Sequence, residues 1–225
     1  MSNIAQASNS ANTPKAGLEK FWSDFSENKV AVAALMVFFC ILFVAIFAAL
    51  VSPFDPYDLA TVDIMNSRLA PGSSDFSGNV YWLGTDGAGR DMLAAIFYGL
   101  RISLGVGAMS GLIALIIGAA IGLSSAYFGG RFETFAMRIV DIQLSFPSIL
   151  MALIILAIFG KGVEKTILAL VLVQWAYYAR AARASALVEK NKEYVEAALC
   201  LALGHRRIIL NHIMPNCLAP LIVVG

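Results

Sequence analysis

The sequence predicts an all-α, polytopic membrane protein, and its composition and its long uncharged runs carry that prediction. The 225 residues are 59% hydrophobic and 14% charged, with a mean hydropathy of +0.76. A soluble globular domain carries about 25% charged residues. Uncharged apolar runs cover residues 30–51, 102–128 and 142–159. The net charge of +1 gives no reason to expect a nucleic-acid partner.

The first span is predicted at residues 30–51. This run has 22 residues, and a membrane-spanning helix needs about 20. Pro53 and Pro56 are expected to end it. Before the run, residues 1–16 are polar and predicted to be disordered. Residues 18–29 place aromatic side chains at helical spacing, which indicates either a short interfacial helix or an extension of the span.

A long polar connection is predicted from residue 52 to about residue 100. It contains YWLGTDGAGRD at residues 81–91. A phosphate-binding loop requires G-x-x-x-x-G-K-[ST], and Arg90–Asp91 stands where Lys and Ser or Thr would be needed. The glycines therefore predict a tight turn around Asp86 with a structural role. The three cysteines show no C-x-x-C spacing, so no metal, cofactor or disulfide framework is expected.

The second span is predicted at residues 102–128. Four glycines at intervals of four, seven and four fall on nearly one helical face: Gly107, Gly111, Gly118 and Gly122. Small residues let helix backbones approach closely in lipid. This predicts a helix-packing face, which either packs statically or slides against another span during transport.

Two further spans and the start of another are predicted. Residues 129–141 are interpreted as a polar break, followed by a third span at 142–159 in which Pro147 either kinks the helix or sets its beginning. The run at 167–179 is too short to cross about 30 Å. It must extend at its ends, with Lys165 or Arg180 reaching the interface. Gln174 is either a pathway residue or a helix-to-helix hydrogen-bonding group. A fifth span begins at residue 213.

The distribution of Lys and Arg predicts a cytoplasmic N-terminus. With that topology, eleven basic residues fall on the cytoplasmic side and five outside, which satisfies the positive-inside rule. Six of the eleven lie between residues 180 and 207. The loop at residues 180–211 is therefore predicted to be cytoplasmic.

The most informative segment, residues 192–216, reads KEYVEAALCLALGHRRIILNHIMPN. One apolar stripe recurs at helical spacing: Tyr194, Ala197, Ala198 and Leu201. Glu193 and Glu196 in the first turn suit the helix dipole. The segment has no nucleophile–base pair, so no enzyme is indicated. The pattern predicts a short helix at a membrane surface, which either docks into a partner or only caps the bundle.

EYVEAA, followed by RII, HI and MPNCLAPLIVV, resembles the EAA loop of binding-protein-dependent ABC importers. From residue 21 to residue 225 the chain is similar to the C-type permeases of bacterial dipeptide and oligopeptide transporters. LGTD-x-x-GRD at the second span and the pattern YFGG…MR-x-VD belong to the same resemblance. It implies a type I permease fold with four full spans, the start of a fifth, and a cytoplasmic coupling helix. The implied ATPase-coupling residues are Tyr194, Glu196, Ala197, Ala198, Leu201 and Gly204.

The resemblance also places the family glycine of the EAA loop on Ala202, with a glycine two residues later at Gly204. Either the bend after the helix is displaced or the helix continues by half a turn. Family members continue through a complete fifth span and a sixth. The 225-residue chain is therefore expected to be a fragment or a truncated product that does not support transport even when all partners are present.

The implied partners are a second permease subunit, two cytoplasmic ATPase subunits, a periplasmic or lipid-anchored peptide-binding protein and the lipid bilayer. Three regions are expected: residues 1–29 as tail, 30–100 as first span and external loop, and 101–225 as the permease core. The implied function is ATP-driven import of dipeptides or short peptides across the inner membrane. Two alternatives stay open: an ion-gradient-driven secondary transporter, and a membrane assembly or sensor protein without transport.

Overall fold

The computed structural model describes residues 22, 25–52, 55–58, 62–75 and 78–224. Most of them are helical, and the only sheet among them is one short hairpin, which confirms the predicted fold class. The chain divides into two compact units, residues 1–101 and 102–225. The predicted disordered tail lies outside the described residues, as does most of the predicted interfacial segment.

The first span is helical, as predicted. Helix α1 covers Lys29–Ile46 and a short helix, α2, covers Ala48–Val51, with a turn at Phe47 between them. The Asn28 side chain caps α1 by accepting hydrogen bonds from two amides of its first turn at 3.1 and 3.2 Å. The helix therefore begins at Lys29, and the residues before Asn28 are not a continuous extension of it.

The polar connection folds around a small hairpin. A 3₁₀ turn covers Ile64–Asn66, and strand β1 (Ser73–Ser74) pairs with β2 (Val80–Tyr81) in antiparallel register. The Asp86 carboxylate accepts hydrogen bonds from the backbone amides of Ala88 at 2.8 Å and Arg90 at 3.0 Å. These bonds, that of Arg90 first, hold the pKa of Asp86 below its ordinary value.

The second long helix begins earlier than predicted. Helix α3 covers Met92–Phe128, 37 residues, whereas the sequence predicted a start at residue 102. The Asp91 carboxylate accepts a hydrogen bond from the Leu93 amide at 3.0 Å, which satisfies an amide of the first turn. The polar connection therefore ends at Asp91, and Arg101 lies inside the helix.

The predicted polar break at residues 129–141 is wrong. Helix α4 covers Gly130–Ser145, and helix α5 covers Ser148–Phe159 at an angle of 89° to it. Ala136 and Val140 are buried on one side of α4, so its charged residues belong to an amphipathic helix and not to a loop. Pro147 stands directly before α5 and sets its beginning, one of the two predicted alternatives.

Helix α6 covers Val163–Lys190, so the short apolar run at 167–179 extends at both ends, as predicted. Residues 180–190, predicted as loop, are part of this helix. Helix α7 follows at Glu193–Cys200 and α8 at His205–Arg207; a π-helical stretch at Ile208–Ile213 leads into α9 at Met214–Val224. Pro215 follows the π turn, whose wider ring accommodates a residue that cannot donate to the i−4 carbonyl.

Among the described residues, α1 and α3 are each long and apolar enough to cross a membrane. The bent pair of α4 and α5 provides a third crossing if it acts as one span. Helix α6 has 28 residues and carries charged groups at both ends. It is longer than the roughly 20 residues that a span requires but lacks the low polarity of α1 and α3. Two of the four predicted full spans are therefore supported among the described residues, or three with the bent pair.

In the second unit, α6 is the central helix, and its small side chains let neighbours pack closely. Ala182 and Ala186 of α6 are buried together with side chains from α3, α7, the π turn and α9. Val195 and Ala198 bring α7 into the same core, with 0% and 3% of their surface exposed. The short helix α7 is therefore fixed to the helical bundle through its inner side.

Candidate coupling site

Helix α7 has one buried side and one open side. The residues opposite the buried Val195 and Ala198 define an outer face: Glu193, Glu196, Ala197 and Cys200, continued by Leu201 just after the helix end. Tyr194 and Leu199 are exposed as well. The predicted apolar stripe is divided between the two sides. Ala198 faces the core, whereas Leu201 is 75% exposed and Ala197 is open. The outer face combines carboxylates at the helix start with small or apolar side chains farther on.

Tyr194 connects the start of α7 to two other helices. Its hydroxyl donates to the Glu189 carboxylate at 2.6 Å and accepts from the Asn216 side-chain amide at 3.0 Å. Asn216 also donates to the His212 carbonyl at 2.9 Å. Glu189 lies in the last turn of α6, and Asn216 lies in the first turn of α9. One phenol group therefore ties α7 to both neighbours.

Glu189 is the ionised centre of this cluster. Its carboxylate also accepts from the Lys192 ammonium at 2.6 Å, and the residue is 8% exposed. The hydrogen bond from Lys192, followed by that from Tyr194, lowers the pKa of Glu189. Burial, followed by the bond to Glu189, raises the pKa of the Tyr194 phenol. At neutral pH the pair is therefore a phenol donating to a carboxylate, which is a strong charge-assisted bond.

Two contacts join the same region to the end of α3. The Lys190 ammonium donates to the carbonyls of Ala126 and Tyr127, each at 3.0 Å. A cation at this point satisfies terminal carbonyls and suits the helix dipole. The Tyr127 hydroxyl lies 2.7 Å from Nδ1 of His205 in α8. The ends of α3 and α6 and the starts of α7, α8 and α9 thus meet in one polar cluster.

The bend after α7 occurs at Ala202. This residue has φ of +54°, a left-handed conformation that a non-glycine residue adopts at a cost. Helix α7 ends at Cys200, so neither predicted alternative, a displaced bend or a longer helix, is found. Gly204 has φ of −61° and precedes α8. The position that the resemblance assigned to glycine is therefore the position whose backbone favours glycine.

Helix α6 packs against one half of the glycine stripe of α3, the half formed by Gly118 and Gly122. A Cβ atom on Gly118 would lie 2.5 Å from the Trp175 carbonyl oxygen, and one on Gly122 would overlap the Ala179 carbonyl. At Gly107 a Cβ atom would meet nothing within 4 Å, and at Gly111 only the Tyr178 hydroxyl at 3.9 Å. Within this chain, the close packing belongs to the second glycine pair.

Sequence reasoning missed part of the cluster. Gln174, the predicted pathway residue, is half-buried on α6. Glu189, Lys190 and Asn216 were not singled out, although they connect the helices. A carboxylate three residues before Lys192 was the available signal, because that spacing brings the two side chains together. The contribution of Asn216 depends on the path of α9 and has no local signal.

Two family models match the chain. Residues 114–224 match the binding-protein-dependent transport system inner membrane component. Residues 18–71 match the N-terminal transmembrane domain of oligopeptide transport permease C. The first match contains the end of α3 and helices α6 to α9. It therefore includes the whole polar cluster, with Ala126 and Tyr127 on α3.

Curated relatives agree with these models. The dipeptide transport system permease protein DppC of Escherichia coli (strain K12) is 42% identical over 215 residues, 95% of this chain and 70% of the relative. DppC of Haemophilus influenzae is 35% identical over 210 residues, 93% of this chain and 70% of the relative. The oligopeptide transport system permease protein OppC of Bacillus subtilis (strain 168) is 34% identical over 206 residues, 90% of this chain and 65% of the relative. The chain belongs to the binding-protein-dependent ABC transport permeases, inner-membrane subunits of the dipeptide and oligopeptide C type.

Proposed function

We propose that this permease subunit carries dipeptides or short peptides into the cell and that ATPase subunits drive it through the outer face of α7. The observation that carries the proposal is the two-sided burial of α7. Its inner side is packed into the helical core, while its outer face is open. A short helix held in this way can be gripped by a partner without being detached from the spans.

The chemistry of the outer face suits a protein groove. Ala197 is small enough to let the helix backbone approach a partner closely, and Leu201 offers an exposed apolar side chain. Glu193 and Glu196 add negative charge at the helix start, where they can pair with basic groups of a partner. Apolar contact with a few charged groups at its border is the usual composition of a specific interface.

The polar cluster supplies a route from α7 to the spans. A displacement of α7 acts on α6 through Tyr194 and Glu189 and on α9 through Tyr194 and Asn216. ATP binding can change the permease only if the two states of the ATPases contact this chain differently. The bonded ends of α6, α7 and α9 allow such a difference to reach the membrane helices.

The proposed assembly contains this chain, a second permease subunit, two ATPase subunits and a periplasmic or lipid-anchored peptide-binding protein. The family description, a binding-protein-dependent inner membrane component, supports a delivering protein outside and an energy source inside. The N-terminus is proposed to be cytoplasmic, which places α7 on the ATPase side. Two of the relatives are named as dipeptide permeases, which supports peptides as the cargo.

A charge reversal tests the proposed docking. Glu196→Lys should weaken binding of the transporter's ATPase subunits to the purified chain on the order of tenfold or more, as loss of a central interface contact does. Glu164→Lys is the matched control, because Glu164 also lies exposed in the first turn of a helix, α6. Equal binding of the ATPase subunits to both variants would refute docking on α7.

A further inference from the structure

The charges of α4 are divided between two sides of the helix. Its acidic residues face α6: Glu133 accepts from the Arg183 guanidinium at 2.7 Å, and Asp141 accepts from Arg180 at 2.6 Å. Both acids are therefore neutralised within the chain. The arginines of α4 itself take no part in these pairs.

Arg131 and Arg138 lie exposed on the other side of α4. Among the described residues, no carboxylate lies within ion-pair distance of either guanidinium. The two arginines are seven residues apart, about 10 Å along a helix. Together with Gly130, Thr134 and Phe135 they line a wide, open depression of the surface. This side of α4 therefore offers two uncompensated positive charges around one recess.

An apolar strip runs beside these arginines. Its side chains are about half exposed or more: Phe132 49%, Phe135 68%, Ile139 42% and Ile142 59%. They follow one another at spacings of three and four residues, so they share one helical face. Helix α4 thus has three faces: one packed on α6, one apolar and open, and one basic at the border of the apolar strip.

We propose that this open surface of α4 binds an anionic phospholipid of the cytoplasmic leaflet, with Arg131 and Arg138 on the headgroup phosphate and the apolar strip against the acyl chains. Charge complementarity favours an anionic lipid, because basic side chains at the border of an apolar face can bind the headgroup phosphates while the apolar face contacts the acyl chains. The assignment of the lipid to the cytoplasmic leaflet rests on the cytoplasmic N-terminus given under the proposed function. Lipid binding itself needs neither ATPase docking nor transport.

Native mass spectrometry of the purified chain with phosphatidylglycerol or phosphatidylcholine tests the site. The chain should retain phosphatidylglycerol preferentially. Each basic residue near a membrane surface contributes about 1 kcal/mol, which is about fivefold in binding. Arg131→Gln with Arg138→Gln should therefore lower the preference by about 25-fold. Lys161→Gln with Lys165→Gln removes the same charge from the start of α6 and the turn before it, and should leave the preference unchanged.

The proposal is overturned if the double arginine variant keeps the preference within twofold, or if the unmodified chain retains both lipids equally. If the double arginine variant does not fold, the salt dependence of lipid binding by the unmodified chain provides the test. Raising NaCl from low to high concentration should abolish the phosphatidylglycerol preference, because exposed charges are screened, and a salt-independent preference contradicts the site. Arg131→Lys with Arg138→Lys should retain most of it. ATPase docking is read separately, so one proposal can fail without the other.

Discussion

The Tyr194 hydroxyl in α7 lies 3.0 Å from the side-chain amide nitrogen of Asn216 in α9, and the same oxygen donates to Glu189 at the end of α6. The residues come from three helices, and the hydroxyl uses both its donor and its acceptor capacity. This arrangement makes the short helix part of the structure that carries the spans. The two residues that follow the link between Tyr194 and Asn216 in α7 have different environments: Val195 is packed in the core, and Glu196 is exposed on the outer face.

Tyr194→Phe should loosen α7 without unfolding the bundle. The substitution removes the donor to an ionised carboxylate, a bond that contributes about 1.5–3 kcal/mol. We expect faster amide hydrogen exchange at residues 193–200. Tyr177→Phe is the control, since Tyr177 is 48% exposed on α6. Unchanged exchange in the Tyr194 variant would show that the core contacts of Val195 and Ala198 alone hold α7.

Ala202→Gly should stabilise the loop after α7. Ala202 has a positive φ of +54°, and glycine adopts that conformation without the side-chain penalty, a gain of about 1 kcal/mol. Gly204→Ala is the reciprocal change, and it should be tolerated because its φ is −61° and a Cβ atom there meets nothing within 4 Å. Thermal unfolding in detergent measures both. A melting temperature of Ala202→Gly below that of the unmodified chain would contradict this assignment.

Gly122→Ala should separate α3 from α6. The added Cβ atom would overlap the Ala179 carbonyl and lie 2.7 Å from the Ala182 Cβ. Overpacking of this kind costs about 1–3 kcal/mol. Gly107→Ala lies on the same stripe with nothing within 4 Å, so it should leave stability unchanged or raise it slightly. The melting temperatures of the two variants are compared in one detergent. An equal decrease of the melting temperature in both variants would contradict close packing at Gly122.

Gly89→Ala should disrupt the turn around Asp86. Gly89 has φ of +82°, and a Cβ atom there would overlap the Asp63 carbonyl. Gly87, two residues earlier in the same turn, has open space around it and should accept alanine. Limited proteolysis of residues 62–91 compares the variants. Resistance of Gly89→Ala equal to that of the unmodified chain would show that this turn is not required.

The sequence patterns that depend on composition predicted the fold well. Uncharged runs predicted the helical first span and the body of α3, because a span must be apolar over its full length. The end of the polar connection was misplaced, since residues 92–101 include Arg101 yet are helical. Helix α4 was missed for a related reason. Its charges suggested a loop, and only its pairing with Arg180 and Arg183 explains why they occur on a packed helix.

The site was predicted in part. Helical spacing identified α7 and its first-turn acids, and the left-handed Ala202 agrees with the position of the family glycine. Which side of α7 is buried could not be read from the stripe, because Ala197 and Leu201 belong to the stripe yet are exposed, whereas the buried Val195 does not belong to it. The connection to α9 depends on residues 22 positions apart and required the tertiary structure.

Labelling of Cys200 tests the central claim most directly. Cys200 lies on the outer face of α7, whereas Cys217 is buried, and Cys40→Ala removes the other exposed thiol. A membrane-impermeant maleimide should label Cys200 in inverted vesicles but not in intact cells, and added ATPase subunits should slow labelling on the order of tenfold. Labelling of Cys200 in intact cells, or an unchanged rate when the ATPase subunits are bound, would contradict the proposed coupling through α7.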